Sequence, residues 1–366
     1  MRHGVSLAAV LTVALGTAVN AAAQAGRSKA PLVIREQGSF FVGGRTIHTD
    51  AVSGTPGGLL GTGNGGSITV DQMYVQYQIP EDDPRHLPVV LLHGCCLSGK
   101  TYETTPDGRM GWSEYFVRKG RAVYTPDQVS RARSGFDATT INMVRLGTLP
   151  ASALPNIFTF SHEDAWTLFR FGPSFGTAFS DEQFPVNAAD EFGKQVIPDL
   201  NALLPALSPT YTNLAALGRR LKGAVLMGHS ESGFFPEEAA LIDPRGIKGL
   251  VSIEGSCTRS FANQPPPTPQ EIAKLATIPI LVIFGDHIAD SPSWPPLLSG
   301  CQQFVQAVNT AGGDAMMLHL PDAGLFGNSH MLMQDKNNLQ VADLILAWID
   351  QHVEGAERNT GREDQR

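Results

Sequence analysis

Apolar residues in this chain gather into short uninterrupted runs that are separated by longer mixed segments. Runs of this kind, bounded by glycine or proline, predict strands that are buried on both faces. They lie at residues 89–92, 121–125, 224–227, 247–253, 279–284 and 315–320. Between them, segments such as 112–119, 300–311 and 340–353 have helical composition. Strands that alternate with helices predict a mostly parallel central sheet with helices on both faces.

The N-terminal part has a different pattern. Residues 67–79 alternate apolar and polar side chains, which favours an antiparallel strand, and residues 32–35 and 39–44 suggest a first hairpin. The glycine-rich residues 53–66 lack the spacing of a phosphate-binding loop, so we interpret them as a connector.

The alternation of strands and helices is interrupted at about residues 136–220. This segment is rich in Phe and Trp and has few strand patterns. It predicts a helical cap over a site, with Trp166 and Phe171 as candidate substrate-binding side chains beneath it. The alternative is a set of helices packed in the core.

The first 25 residues have the pattern of a secretory signal peptide. A basic start at residues 1–3 precedes an apolar run at 5–19 and the small residues Ala21 to Ala23. A membrane anchor is disfavoured because the run is short and ends in Asn20. We therefore expect an exported protein, periplasmic or secreted, with a globular domain at 26–353 and a disordered polar tail at 354–366.

One turn has the pattern of a nucleophile. The run 224–227 leads into Gly228-His229-Ser230-Glu231-Ser232-Gly233, and a segment of helical composition follows. Strand, sharp turn and helix with a serine at the tip form the context of a nucleophile elbow, although its usual fifth residue is glycine rather than Ser232. The hypothesis is that Ser230 attacks an acyl carbon, whereas an ordinary glycine-rich turn would have no such role.

A second strand end predicts an oxyanion hole. His93-Gly94-Cys95-Cys96 follows the strand at 89–92, well upstream of Ser230. Enzymes with a serine elbow build the hole from backbone N–H groups at such a position and at the residue after the nucleophile. Here these would be the N–H of Cys95 or Cys96 and the N–H of Glu231.

A base and an acid are needed to activate the serine. In chain order they should follow Ser230 as acid and then histidine, each in a loop after a strand. Only His330 lies between the last strand and the terminal helix, while the side chain of His229 should point away from Ser230. Asp286 and Glu254 each follow a predicted strand, so the residues alone leave the acid open.

Export changes how the four cysteines are interpreted, since disulfides persist outside the cytosol. Pairing of Cys257 with Cys301 would leave Cys95 and Cys96 as two thiols or as a disulfide between neighbours. Each could instead bond to a distant cysteine. We favour the bond between neighbours. No cluster of cysteine and histidine has the spacing of a zinc site.

Four segments together resemble a known family. They are 93–99 with its double cysteine, 105–112, the elbow at 228–233 and Asn328-Ser-His330-Met. Over about residues 30–350 the chain resembles exported bacterial α/β-hydrolase esterases of the Alcaligenes type. The resemblance implies a Ser-Glu-His triad with Glu254 as the acid. It also implies a Cys95–Cys96 disulfide beside the oxyanion hole.

These observations predict a serine carboxylesterase that forms an acyl-enzyme at Ser230, acts on a small-molecule ester, and needs no metal or organic cofactor. An amidase or peptidase could use the same triad, and a non-catalytic exported binding protein could keep the same fold. The net charge of −8 gives no reason to expect nucleic acid as a partner. No segment after the leader is apolar enough to span a membrane, and a homodimer is left open.

Overall fold

The structure is built on an eight-stranded sheet in the order β1-β2-β4-β3-β5-β6-β7-β8. The strands are β1 Ile34–Thr49, β2 Gly66–Pro80, β3 Val89–Leu92, β4 Val123–Pro126, β5 Ala224–His229, β6 Ile247–Ile253, β7 Ile280–Phe284 and β8 Ala315–His319. The β1–β2 and β2–β4 pairs are antiparallel and the remaining pairs are parallel. This confirms the predicted α/β-hydrolase fold with its mostly parallel sheet.

This computed structural model describes residues 30–82, 86–201, 204, 207–260 and 264–355. The described residues from Val33 onward form one compact unit. The predicted signal peptide at 1–25 lies outside the described residues, and so do residues 356–366 of the tail predicted at 354–366. Glu354, the first residue of that predicted tail, is instead buried and pairs with Arg121. No helix among the residues described is long and apolar enough to cross a membrane.

The described residues also form α-helices, which connect and flank the strands. They are α1 Trp112–Arg118, α2 Thr139–Arg145, α3 His162–Leu168, α4 Ala189–Gly193, α5 Pro209–Leu221, α6 Phe235–Ile242, α7 Pro269–Leu275, α8 Trp294–Thr310 and α9 Asn338–Trp348. Helices α5, α6, α7 and α8 contact one another in series, whereas α1 contacts α9. Successive residues of the central strands, such as Leu281 and Val282, are all buried because both sheet faces are covered.

The first two strands differ from the prediction. We expected a hairpin within residues 32–44, but β1 continues to Thr49 and pairs with β2 across the glycine-rich connector. Gly43 and Gly44, the last residues of the expected hairpin, have φ of 68° and 92° inside the strand. A Cβ on Gly43 would lie 2.0 Å from Oδ1 of Asn213. Gly43 therefore lets β1 pass close to α5 without ending the strand.

The segment predicted as a cap divides into two parts. Helix α5 packs against β1, β2 and β5 and is part of the sheet packing. It begins where Ser208 accepts a hydrogen bond from the N–H of Thr210, and Pro209 occupies its first turn. The part before it, up to Asn201, contributes Asn156, Phe158, Phe160, Leu168 and Asn201 to the cavity described below.

A disulfide joins Cys257 to Cys301, with Cα atoms 5.0 Å apart. This is the pairing that the sequence suggested for the two distant cysteines. Cys257 lies just beyond the end of β6, and Cys301 lies on α8. The bond therefore ties the chain after β6 to the helix that also carries Trp294.

Candidate active site

Ser230 lies at a strained turn between β5 and a single 3₁₀ turn at Ser230–Phe234. Its φ is 57°, in the left-handed region that residues other than glycine rarely adopt. The turn is tight, since a Cβ on Gly228 would lie 1.9 Å from the carbonyl oxygen of Ser232. The sequence therefore folds into the predicted elbow, and the strain is located at the serine itself.

Ser232 occupies the position where the elbow pattern usually has glycine. Its side chain is fully buried and accepts the N–H of His229 at 3.0 Å. It also donates to the carbonyl oxygen of Leu92, 3.1 Å away at the end of β3. The departure from the usual motif thus adds a hydrogen bond between the elbow and the neighbouring strand.

His330 is held in a loop between β8 and α9. Its ring centroid lies 4.9 Å from that of Phe169, 4.5 Å from that of Trp294 and 4.6 Å from that of His229. Its backbone N–H donates to the carbonyl oxygen of Phe169 at 2.9 Å. The imidazole is therefore fixed in position by rings on three sides.

The Nδ1 of His330 lies 3.2 Å from Oε2 of Glu254. Nδ1 donates its proton to this carboxylate, which leaves Nε2 as the acceptor nitrogen. Burial lowers the pKa of His330, and the nearby Arg170 charge lowers it further, against the opposing effect of Glu254. The imidazole is consequently neutral at neutral pH, the form that a general base needs.

Glu254 follows the last residue of β6 and has no exposed surface. Its Oε1 accepts hydrogen bonds from Nη2 of Arg170, at 2.7 Å, and from the N–H of Gly285. Burial opposes ionisation, but Arg170, His330 and Gly285 together hold the pKa of this carboxyl below its usual value. Glu254 is therefore a buried carboxylate whose two oxygens have separate partners.

Asp286, the other acid that the sequence left open, serves a different purpose. Its carboxylate accepts the N–H of His287 at 2.7 Å and the N–H of Gly327 at 2.9 Å. These bonds stabilise the loops after β7 and β8. Of the two acids, Glu254 is the one that the structure brings to His330.

The His93-Gly94 segment packs directly against the elbow. A Cβ on Gly94 would lie 2.6 Å from Cβ of Ser230, so only glycine fits there. The carbonyl oxygen of Gly94 accepts hydrogen bonds from Nδ1 of His93, at 2.8 Å, and from Nη1 of Arg131, at 3.0 Å. The backbone that leads into Cys95 and Cys96 is thereby fixed beside Ser230.

Cys95 and Cys96 are both thiols in this structure, with Sγ atoms 2.7 Å apart. Cys96 has φ of 59°, so the backbone here departs from extended or helical geometry. Sγ of Cys95 also donates to the Asp199 carboxylate at 3.4 Å. The bond between neighbours is thus not formed here, and it stays a prediction.

Arg131 organises the polar side of the site from a fully buried position. Its Nη2 lies 2.7 Å from the Asp199 carboxylate and 3.0 Å from that of Glu231. Asn201 donates to Glu231 as well, at 2.8 Å. The side chain of the residue after Ser230 is therefore anchored, which limits movement of its backbone N–H.

Ser230, Glu231, Cys95 and His330 all border one cavity of about 710 Å³. One wall is apolar, and it consists of Phe158, Phe160, Leu168, Phe169, Trp294 and Leu297. The polar wall includes Asp199 and Asn201. A cavity of this size accommodates a small organic molecule.

The two predicted substrate-binding residues do not border this cavity, which corrects the sequence-based assignment. Trp166 and Phe171 are buried and border a separate space of about 180 Å³. Their rings pack edge to face, with centroids 6.0 Å apart, and the Phe171 ring also stacks on Phe184. These rings therefore belong to the aromatic interior of the cap segment rather than to the wall of the larger cavity.

Sequence reasoning missed three contributions. The ring of His229 does not point away but packs on His330, and its Nε2 donates to the backbone carbonyl of His330 at 3.0 Å. Arg131 and Arg170 were not recognised as parts of the site. A lone arginine between Phe169 and Phe171 was the available signal for Arg170, since a cation among buried aromatic residues needs a carboxylate partner.

Among the residues that the structure describes, three clusters contain residue types that can ligate metals. In each, carboxylates already accept from an arginine or from backbone N–H groups, as Asp199 does from Arg131 and Glu354 from Arg121. The clusters are Cys95, Cys96 and Asp199; His86, Asp350 and Glu354; and Asp181, Asp286 and His287. Ion pairs and backbone hydrogen bonds therefore account for these carboxylates.

Comparison with known proteins identifies relatives. The solved atomic-resolution structure of a novel bacterial esterase is 49% identical and superposes with a TM-score of 0.83, covering 89% of this chain and 98% of that one. The chain belongs to the α/β-hydrolase esterase family. A probable secreted lipase from a fungal species is 26% identical over 328 residues, 78% of this chain and 87% of its own length. No family model matches the chain.

Proposed function

We propose that this α/β hydrolase is a serine carboxylesterase with Ser230 as nucleophile, His330 as general base and acid, and Glu254 as the residue that orients the imidazole. The observation that carries the proposal is the contact of 3.2 Å between His330 and the buried Glu254 carboxylate. Ser230 and His330 also border the same cavity, whereas Glu254 lies buried behind the imidazole.

The reaction has two halves. Oγ of Ser230 attacks the ester carbonyl carbon while Nε2 of His330 takes the hydroxyl proton, and the carbonyl oxygen becomes an oxyanion. The N–H of Glu231 and that of Cys95 or Cys96 stabilise this charge. The carbon–oxygen bond to the alcohol then breaks, and His330 protonates the departing alkoxide. Water repeats the sequence on the acyl-enzyme, which releases the acid and restores Ser230.

The cavity favours esters with at least one apolar arm. Phe169 and Trp294 contact the His330 ring. The alcohol part of the ester, which His330 protonates as it leaves, should therefore contact these aromatic side chains. Phe158, Phe160, Leu168 and Leu297 extend this wall. Export of the protein fits the Cys257–Cys301 disulfide and the secreted fungal relative.

Labelling with a fluorophosphonate tests the nucleophile. The reagent should modify Ser230, and Ser230→Ala should lose both the label and several powers of ten in turnover of a small aryl ester. Ser299→Ala, at an exposed position on α8, is the matched control and should keep both. A Ser230→Ala protein with native circular dichroism and a tenth of the activity would exclude Ser230 as the nucleophile.

Matched ester and amide substrates test the leaving group. The esterase relative supports the ester as the preferred substrate. If the protein cleaved an amide as fast as the corresponding ester, that result would instead indicate an amidase. Labelling of Ser230 with no turnover in an ester screen would favour a binding role.

A further inference from the structure

Arg170 enters the site from the cap segment. It lies two residues beyond α3, in left-handed backbone with φ of 60°, and its side chain is 1% exposed. Nη2 donates to Oε1 of Glu254 and Nε donates to the backbone carbonyl of Asp286, both at 2.7 Å. The guanidinium also lies over the Trp294 ring, 4.6 Å from its centroid.

We propose that Arg170 is a positioning residue of the catalytic site, through which the cap segment holds Glu254 and His330 in their working arrangement. This inference rests on the proposed function, because it assigns Arg170 an effect on a reaction that Ser230, His330 and Glu254 perform.

The hydrogen bonds of Glu254 show how the positioning works. Oε1 has two donors, Arg170 and Gly285, while Oε2 faces His330. Rotation of the carboxylate would break both of these hydrogen bonds, so they keep the other oxygen aimed at Nδ1 of His330. Arg170 therefore acts on the imidazole through Glu254, without reaching the substrate.

Phe169, the residue before Arg170, contacts His330 directly. The carbonyl oxygen of Phe169 accepts the backbone N–H of His330, and its ring packs on the imidazole. Trp294 contacts both the guanidinium and the His330 ring. Two consecutive residues of the cap segment thus hold the acid and the base, so displacing that segment would disturb both.

The charge of Arg170 gives a measurable signature. The charged groups that act on His330 are Arg170 and Glu254. The buried His229 lies close to His330, and the buried Asp335 lies close to Glu254. Arg170 lowers the pKa of His330, so removing its charge should raise that pKa. Because His330 must be neutral to act as base, the acid limb of the pH profile should then move to higher pH.

The experiment compares Arg170→Met and Arg170→Lys, with Arg145→Met as a matched control at an exposed position of α2 in the same cap segment. kcat and KM for a small apolar aryl ester are measured across pH, on protein quantified by fluorophosphonate titration.

Arg170→Met should lower kcat by tenfold or more with little change in KM, and should move the acid limb of the pH profile to higher pH. Arg170→Lys should restore the acid limb but only part of kcat, since an ammonium cannot keep both hydrogen bonds. Arg145→Met should match the wild type.

A double variant separates positioning from folding. Arg170→Met leaves Glu254 buried without its cation, whereas Arg170→Met combined with Glu254→Gln leaves no unpaired charge. If Arg170 acts through Glu254, the double variant should be no slower than Glu254→Gln alone. Two results would overturn the inference: a double variant in which the kcat losses of the two single variants multiply, or an Arg170→Met variant that loses kcat while its acid limb does not move. Labelling of Ser230 by the fluorophosphonate would still support the esterase in either case.

Discussion

Replacing Glu254 by glutamine should abolish most activity through the tautomer of His330. In wild type, Oε1 accepts from Arg170 and Gly285, and Oε2 accepts from Nδ1 of His330. A glutamine oxygen should take the site of Oε1, where two donors converge, and its NH₂ group would then face His330. Nδ1 must become an acceptor and the proton moves to Nε2, which can no longer accept the proton of Ser230. We expect a loss of a hundredfold or more in kcat.

The same change should also lower stability. Removing one partner of a buried ion pair costs about 3–5 kcal/mol. The guanidinium of Arg170 keeps its bond to the carbonyl of Asp286, and the glutamine oxygen replaces Oε1 as its other acceptor, so the lower value applies. For a chain of this size about 0.7 kcal/mol corresponds to one degree, and the melting temperature should fall by about 4 °C.

Asp286→Asn is the matched comparison. Asn retains one acceptor for the two N–H groups of His287 and Gly327, so about 1–3 kcal/mol of stability should be lost. Its kcat should stay within a few-fold of wild type. Burst titration gives the active fraction, and steady-state rates are divided by it. A larger rate loss in Asp286→Asn than in Glu254→Gln would refute the assignment of Glu254 as the acid.

The remaining predictions concern the cysteines and the aromatic residues of the cap segment. Cys257→Ala with Cys301→Ala opens a loop of about 45 residues and should cost up to about 4 kcal/mol in a urea titration with little change in rate. Cys95→Ser with Cys96→Ser should lower the turnover rate clearly and change the melting temperature little. Full activity together with a large drop in melting temperature would contradict this. Phe160→Ala should change the ratio of kcat/KM between short and bulky esters because Phe160 borders the cavity. Trp166→Ala should instead lower stability, and an equal shift in that ratio would contradict the different roles.

The sequence could predict the strands and the order of the site because both depend on local pattern. Runs such as residues 280–284 are buried on both faces and stay apolar throughout. Parallel strands end at one edge of the sheet, so residues that follow β3, β5, β6 and β8 were expected to converge there. The contact between Glu254 and His330 follows from that topology.

What could not be predicted depends on packing between segments distant in sequence. Arg170 and Glu254 are 84 positions apart, and the apolar and charged patterns around Arg170 do not indicate which carboxylate it meets. Aromatic composition located the cap segment but did not distinguish Phe160, which borders the cavity, from Trp166 in the interior of the segment. Gly43 inside β1 shows the same limit, since its close contact with Asn213 joins segments that are distant in sequence.

Ser230 and Glu254 have φ of 57° and 52°, a conformation that suits glycine and is costly for a side chain. Such strain costs about 1 kcal/mol or more at each position. Glycine at position 230 should relieve it there and give a more heat-resistant protein that lacks the proposed nucleophile. Directed evolution that screens for thermostability alone would therefore reward loss of Ser230. A library needs an activity readout at every round if Ser230 is to survive selection.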